Sequence, residues 1–231
     1  MEIEIWSDIG CPFCYIGKRN FEMGLDQFDA KDQVNVIYRS FRLDPTAPVQ
    51  PEETMVELLA KKYGRSLEEA KQMNAQISDS ARAAGLEFNL DTVVPSNTMD
   101  AHRLVKQAET AGKDDMAMEY LYKAYFTDNR NVADRETLLE IAGDIGLDIS
   151  AVDNMFSADD YKEAVISDQN EATQHGAQGV PYFVINRKYS VSGAQPPEKF
   201  LEAMKKVQQE EESLVDLGDN QGSTCTDEYC E

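Results

Sequence analysis

Glu2-Ile3-Glu4-Ile5-Trp6-Ser7, then Asp8-Ile9-Gly10, then Cys11-Pro12-Phe13-Cys14-Tyr15-Ile16-Gly17: this run near the start of the chain decides its architecture. Residues 2–7 alternate polar and apolar side chains, the two-residue period of a strand. Proline fits the first position of a helix, where its missing N–H would go unbonded in any case, so Cys11 reads as the N-cap and Pro12 as N1. The helix is expected to run to about Phe28, with Phe21, Leu25 and Phe28 along one face. Residues 34–42 form a second apolar strand, closed by Asp44-Pro45. A β-α-β unit of this kind favours parallel pairing through a right-handed crossover.

The two cysteines are three residues apart, so one helical turn sets them on the same face, where they can close a small disulfide ring. Free N–H groups and the positive end of the helix dipole stabilise a thiolate at the first position. The second cysteine is placed to resolve the mixed disulfide that such a thiolate forms. In a strand–turn–helix context the spacing points to thiol–disulfide exchange, with Cys11 as nucleophile and Cys14 as resolving thiol. Two other readings are half of a zinc site and a pair of buried thiols. A closed zinc site needs four ligands. The remaining cysteines, Cys225 and Cys230, lie about 210 residues away at a looser spacing, and His102 and His175 are not spaced as a ligand pair, so no metal is expected.

The chain has 231 residues, of which 42% are hydrophobic, enough for one large domain or a small one with a sizeable insertion. Lys and Arg number 22 against 43 Asp and Glu, a net charge of −21 that repels nucleic-acid backbones and anionic lipid. No basic segment with an apolar stretch and a small-residue cleavage site opens the chain, and no stretch reaches the roughly 18 apolar residues of a spanning helix. A cytoplasmic location is the expectation, with neither membrane nor nucleic acid as partner. In a reducing compartment cysteines are more often catalytic than structural.

Between the β-α-β unit and the next strand signal the pattern is helical throughout. Met55, Leu58, Leu59 and Tyr63 keep helical spacing up to Gly64. Ser66-Leu67-Glu68-Glu69 is a capping box, with Leu67, Ala70, Met73 and Ile77 expected inward. Further helices fit near 97–111, 114–126, 134–145 and 158–174. Strand signals return at 180–185 and 188–191, joined by the turn Asn186-Arg187 as a hairpin. Pro197 opens a last helix with Phe200, Leu201, Met204 and Val207 on one face. The order β-α-β, helical block, β-β-α predicts one sheet with flanking helices, interrupted by an all-helical insertion. The boundaries read 1–50 and 175–212 for the discontinuous sheet domain, 51–174 for the insertion and 213–231 for an acidic tail.

Four segments now carry a resemblance: Ser7 to Lys18 around the dithiol, Asn97-Thr98-Met99-Asp100-Ala101-His102-Arg103-Leu104, Gly179-Val180-Pro181-Tyr182-Phe183-Val184-Ile185, and Ser192-Gly193-Ala194-Gln195. In order and separation the chain resembles the DsbA-like thioredoxin superfamily, specifically its cytosolic FrnE-type branch. The resemblance implies an α/β thioredoxin-like fold with the helical insertion between its halves. It implies that Val180–Pro181 is a cis peptide facing the dithiol, with the Val180 backbone free to bind an extended substrate. It also implies a thiol–disulfide oxidoreductase that oxidises, reduces or isomerises protein disulfides without an organic cofactor, with glutathione as a further partner. Members with Ser in place of the first cysteine act as glutathione-dependent isomerases or transferases, and this chain keeps both cysteines. That activity and a zinc-binding, chaperone-like role are the two alternatives. The Pro-Phe pair lacks the histidine of strongly oxidising relatives, which implies a less oxidising dithiol.

Three features stand apart. Cys225 and Cys230 form a second pair in the acidic tail, a partner dithiol for Cys11 and Cys14 or simply two exposed thiols; a tail of this length has an r.m.s. reach of roughly 20–25 Å. His175, before the Gly176–Pro181 loop, is a candidate to tune the dithiol or a plain helix-terminal histidine. Asp8 is a candidate proton acceptor during resolution or a turn residue, whereas His102, among Ala101, Leu104 and Val105, reads as structural. The oligomeric state is left open.

Overall fold

The structure, a computed structural model, describes residues 1–212. Strand β1 (Glu2–Ser7) leads through a short turn into helix α1 (Pro12–Asp26), and β2 (Asn35–Ser40) returns parallel to β1. Strands β3 (Tyr182–Ile185) and β4 (Tyr189–Ser192) complete a four-stranded sheet in the order β2-β1-β3-β4, and α9 (Pro197–Glu212) closes the described chain. Both β1–β3 and β3–β4 are antiparallel, with Ile5 opposite Tyr38 on one side and Phe183 on the other.

The alternation of β1 is buried on both faces. Ile3 and Ile5 share one core with Phe21 of α1 and Phe183 and Phe200, whereas Trp6 packs with Tyr182, Val184 and Ala172 on the other face. Each such apolar side chain contributes roughly 1.5–3 kcal/mol on full burial. Glu4, between them, is only 1% exposed; its Oε1 accepts from Arg39 at 2.7 Å and Arg187 at 2.8 Å. These hydrogen bonds and charges hold the Glu4 carboxyl below its ordinary pKa although burial opposes them. Helix α1 seats closely on α9: a β-carbon at Gly24 would stand 2.6 Å from the Pro197 carbonyl oxygen.

Seven helices lie between β2 and β3: α2 (Met55–Tyr63), α3 (Leu67–Ala83), α4 (Met99–Glu109), α5 (Asp114–Phe126), α6 (Arg135–Asp144), α7 (Ile149–Ser157) and α8 (Lys162–Gln174). Ser66 caps α3 through the expected box with Glu69, and Thr54 and Glu57 form a second box at α2. Gly64 ends α2 with φ +62°, a conformation that favours glycine.

Several expectations shift. Helix α7 falls where none was assigned; Asp148 caps it by accepting from the N–H groups of Ser150 and Ala151, and Val152 and Met155 form its buried face. Helix α8 starts four residues later than the pattern suggests, because Tyr161 takes a left-handed backbone with φ 63°. Leu67 is 54% exposed rather than inward, since it sits at the α2–α3 corner. Helix α8 packs on β1 and β2, and Trp6 Nε1 donates to the Asp168 carbonyl at 2.7 Å. Arg103, 1% exposed, fastens the insertion: it donates to the carbonyls of Ala158 and Asp160 at 2.7 Å and to that of Met155. Cys225 and Cys230 lie outside the described residues.

Candidate active site

The turn after β1 sets the dithiol. The Cys11 N–H donates to the Asp8 carbonyl at 3.1 Å, which closes the turn, and the Cys14 N–H donates to the Cys11 carbonyl at 3.0 Å. Cys11 is the N-cap, with extended backbone, and Pro12 begins the helix as its fixed φ favours. Both cysteines are free thiols, Cys11 3% exposed and Cys14 fully buried, whereas Phe13 between them is 46% exposed. Both sulfurs are therefore covered, Cys11 slightly less completely than Cys14.

Opposite the dithiol stands the loop before β3. Val180–Pro181 is cis, as the resemblance implies. The Cys11 thiol donates to the Val180 carbonyl at 3.7 Å. Gly193, in the segment after β4, donates to the Pro181 carbonyl at 2.8 Å. A β-carbon at Gly17, one turn beyond Cys14, would stand 2.8 Å from Pro181 Cγ. The absence of a side chain at Gly17 is what lets α1 and the loop close on each other.

Beside the dithiol lies Asp8, 3% exposed and held by three donors. Its Oδ2 accepts from the Leu43 N–H at 2.7 Å, and its Oδ1 lies 3.3 Å from the Gly10 N–H and 3.4 Å from His102 Nε2. His102, 2% exposed on α4, also brings Nε2 to 3.1 Å from the Phe41 carbonyl oxygen. The Asp8 backbone N–H faces the Cys14 sulfur. Burial pushes the Cys14 thiol well above its ordinary pKa, and the Cys11 thiol and the Asp8 carboxylate act in the same direction. Tyr122 and Tyr125 of α5 border the site, and burial raises both phenols, assisted by the charge of Asp8.

One helical turn further on, Lys18 is 2% exposed among Glu22, Asp115 and Glu119. It and Arg19, which donates to Glu119 at 2.6 Å, tie α1 to α5. Tyr15 stacks on Tyr122 with ring centroids 4.8 Å apart and donates to Glu119 at 2.7 Å.

The predicted residues Cys11, Cys14, Asp8, Val180 and Pro181 thus converge. His175 is placed differently: its ring lies 5.5 Å from that of Trp6, its Nε2 is 3.7 Å from Glu171, and its carbonyl accepts from the Tyr182 hydroxyl at 2.9 Å. Sequence reasoning set His102 aside as structural, since its neighbours on α4 are apolar. Only the tertiary approach of α4 to the turn after β1 reveals its partner. Among the described residues, no group of three or more His, Cys, Asp and Glu side chains is placed to hold a metal ion.

A four-stranded mixed sheet, a dithiol opening the first helix and a cis-proline loop against it define a thioredoxin-fold protein. Known proteins agree. The chain belongs to the DSBA-like thioredoxin domain family, which matches residues 2–205. It is similar to the crystal structure of a probable DsbA oxidoreductase from Streptomyces coelicolor, at 37% identity and a TM-score of 0.88, covering 100% of this chain and 98% of that one. It is also 26% identical over 191 residues to the uncharacterised protein YwbO of Bacillus subtilis, covering 80% of this chain and 86% of the relative. The cytosolic disulfide reductase DsbM of Pseudomonas aeruginosa, solved with GSH, shares the fold at 16% identity and a TM-score of 0.63, covering 90% of this chain and 100% of that one.

Proposed function

We propose that this protein is a thiol–disulfide oxidoreductase that works through Cys11 and Cys14. The observation that carries the reading is the placement of the pair: Cys11 at the N-cap of α1 with its thiol against the Val180 carbonyl, Cys14 fully buried one turn on. In the reducing direction the Cys11 thiolate attacks one sulfur of a substrate disulfide; a Cys11–substrate bond forms and the first substrate thiolate leaves. Cys14 then loses its proton to Asp8 and attacks the Cys11 sulfur. The second substrate sulfur departs with the bonding electron pair and takes up that proton. The substrate gains two electrons and the dithiol becomes a disulfide; the oxidising direction is the reverse. Val180 and Pro181 hold the substrate backbone beside Cys11. The His175 backbone carbonyl, not its imidazole, accepts from the Tyr182 hydroxyl at the start of β3.

The substrates are protein disulfides or thiols, with glutathione as the small partner, a reading supported by the GSH-bound neighbour. We assign the chain to the FrnE-type branch and to the cytoplasm, with a sheet domain at 1–50 and 175–212 and a helical insertion at 51–174. Among the described residues, no helix is long and apolar enough to cross a membrane.

The test is a redox titration in glutathione buffers, read by alkylation and mass of each cysteine. Cys11 and Cys14 are expected to titrate as one two-electron couple between roughly −120 and −270 mV. The same spectra report whether Cys225 and Cys230 follow them. Resistance of Cys11 and Cys14 to oxidation across that range would remove the redox reading.

A further inference from the structure

His102 is buried on α4, and two oxygens converge on one of its nitrogens: the Phe41 carbonyl at 3.1 Å, which can only accept, and Asp8 Oδ1 at 3.4 Å, which accepts while ionised. Nε2 must therefore carry hydrogen. That hydrogen joins α4 to two segments: the turn that carries the dithiol, and the loop after β2, whose Leu43 N–H holds the other oxygen of the same carboxylate.

We infer that His102 is a positioning residue of the resolving step, holding Asp8 where it receives the Cys14 proton. The inference rests on the oxidoreductase reading above. Its physical logic is charge conservation in a dry site. A negative charge on Asp8 opposes one on Cys14, so the two are not readily ionised together. Transfer of the Cys14 proton to Asp8 moves a single negative charge from one to the other and creates no second one. As Asp8 becomes neutral, the His102 N–H keeps the Phe41 carbonyl as acceptor, so no buried donor is stranded. The remaining titratable groups facing the pair are Cys11 from α1 and Tyr122 and Tyr125 from α5. Burial keeps both phenols protonated through the neutral range.

The test uses the full reduced chain and an aromatic disulfide that releases one coloured thiolate when Cys11 attacks and a second when Cys14 resolves. His102→Leu is expected to leave the first release within about twofold of wild type and to slow the second roughly ten- to a hundredfold at neutral pH. Its second phase should rise about tenfold per pH unit, because solvent base now takes the proton, whereas the wild-type phase is flatter. His102→Gln, which keeps a donor near Nε2, should restore most of the rate and the flatter profile. An unchanged second phase in His102→Leu, or equal slowing of both phases in both variants, would overturn the inference while the wild type still resolves. A wild type that releases no coloured thiolate removes the oxidoreductase reading, and this inference with it. Nitrogen NMR of the wild-type imidazoles gives a check that does not depend on variant folding: His102 should carry hydrogen on Nε2, and a bare Nε2 refutes the arrangement.

Discussion

Gly17 and Pro181 are in contact across the site: a β-carbon at 17 would lie 2.8 Å from Pro181 Cγ and 3.5 Å from Ala194 Cα. Real side-chain carbons do not approach so closely, so Gly17→Ala must push the loop off α1. Alanine gains up to about 1 kcal/mol of helix propensity, while the overpacking costs typically about 1–3 kcal/mol. Thermal melts should therefore show a net loss of up to about 2 kcal/mol. The turnover of protein disulfides should fall further than stability does, because the Val180 carbonyl moves away from Cys11. A variant with wild-type turnover would mean that the loop position does not matter.

The Cys14 thiol has a pKa above its ordinary value because it is buried and because Cys11 and Asp8 disfavour its thiolate. In the unfolded chain it titrates near 8.5. The folded state thus holds this proton more tightly. The associated stability is complete below about pH 8.5 and drains away as pH rises towards the folded value. Urea midpoints of the reduced wild type should fall faster between pH 8 and 10 than those of Cys14→Ala. Parallel curves for the two proteins would contradict the assignment.

Phe13 is 46% exposed between two hidden sulfurs. Truncation to alanine removes little buried surface, so stability should change by no more than about 0.5 kcal/mol. An exposed aromatic beside Cys11 offers a contact to an unfolded chain. KM for a protein substrate is expected to rise about fivefold, equivalent to ~1 kcal/mol, with the rate on a small aromatic disulfide unchanged. A parallel change on both substrates would show that Phe13 shapes the dithiol itself.

Arg103 gives the converse case. Its guanidinium donates to the carbonyls of Met155, Ala158 and Asp160 and to Asp100, at 1% exposure. Arg103→Met strands the buried Met155 carbonyl, at about 1–3 kcal/mol, and removes the part-buried bonds to Ala158 and Asp160, so a loss of about 2 kcal/mol in urea unfolding is expected. Its partners lie at the α7–α8 junction, so the rate of Cys11 alkylation per folded molecule should match wild type.

What could be read from the sequence follows from how local each signal is. The alternation of residues 2–7, the proline after Cys11 and the capping box at Ser66 are written in consecutive residues, and each is found in place. Helix α7 was not read although its signals are local too: Asp148 caps it, and Ile149, Val152 and Met155 keep helical spacing. Leu67 looked inward by spacing alone, but a residue at a corner between helices has no neighbour on its apolar side. At the site, Cys11, Cys14 and Asp8 share one turn and could be read together. His102 lies 94 residues from Asp8, on a helix whose apolar neighbours mark it as core. Its role is a matter of which helix packs over which turn, and no local pattern encodes that.

The pairing of β1 with β3 sets a timetable for biosynthesis. Ile5 meets Phe183 in the sheet, so β1 leaves the ribosome long before the strand it pairs with. Until then the edge of β1 that β3 will occupy is unpaired, and Cys11 and Cys14 have no loop opposite them. A nascent chain stalled before residue 180 therefore carries its two sulfurs without Val180 and Pro181 to shelter them. The chemistry comes under control only when the Val180–Ile185 segment has been made, and premature oxidation during synthesis is the hazard that this connectivity creates.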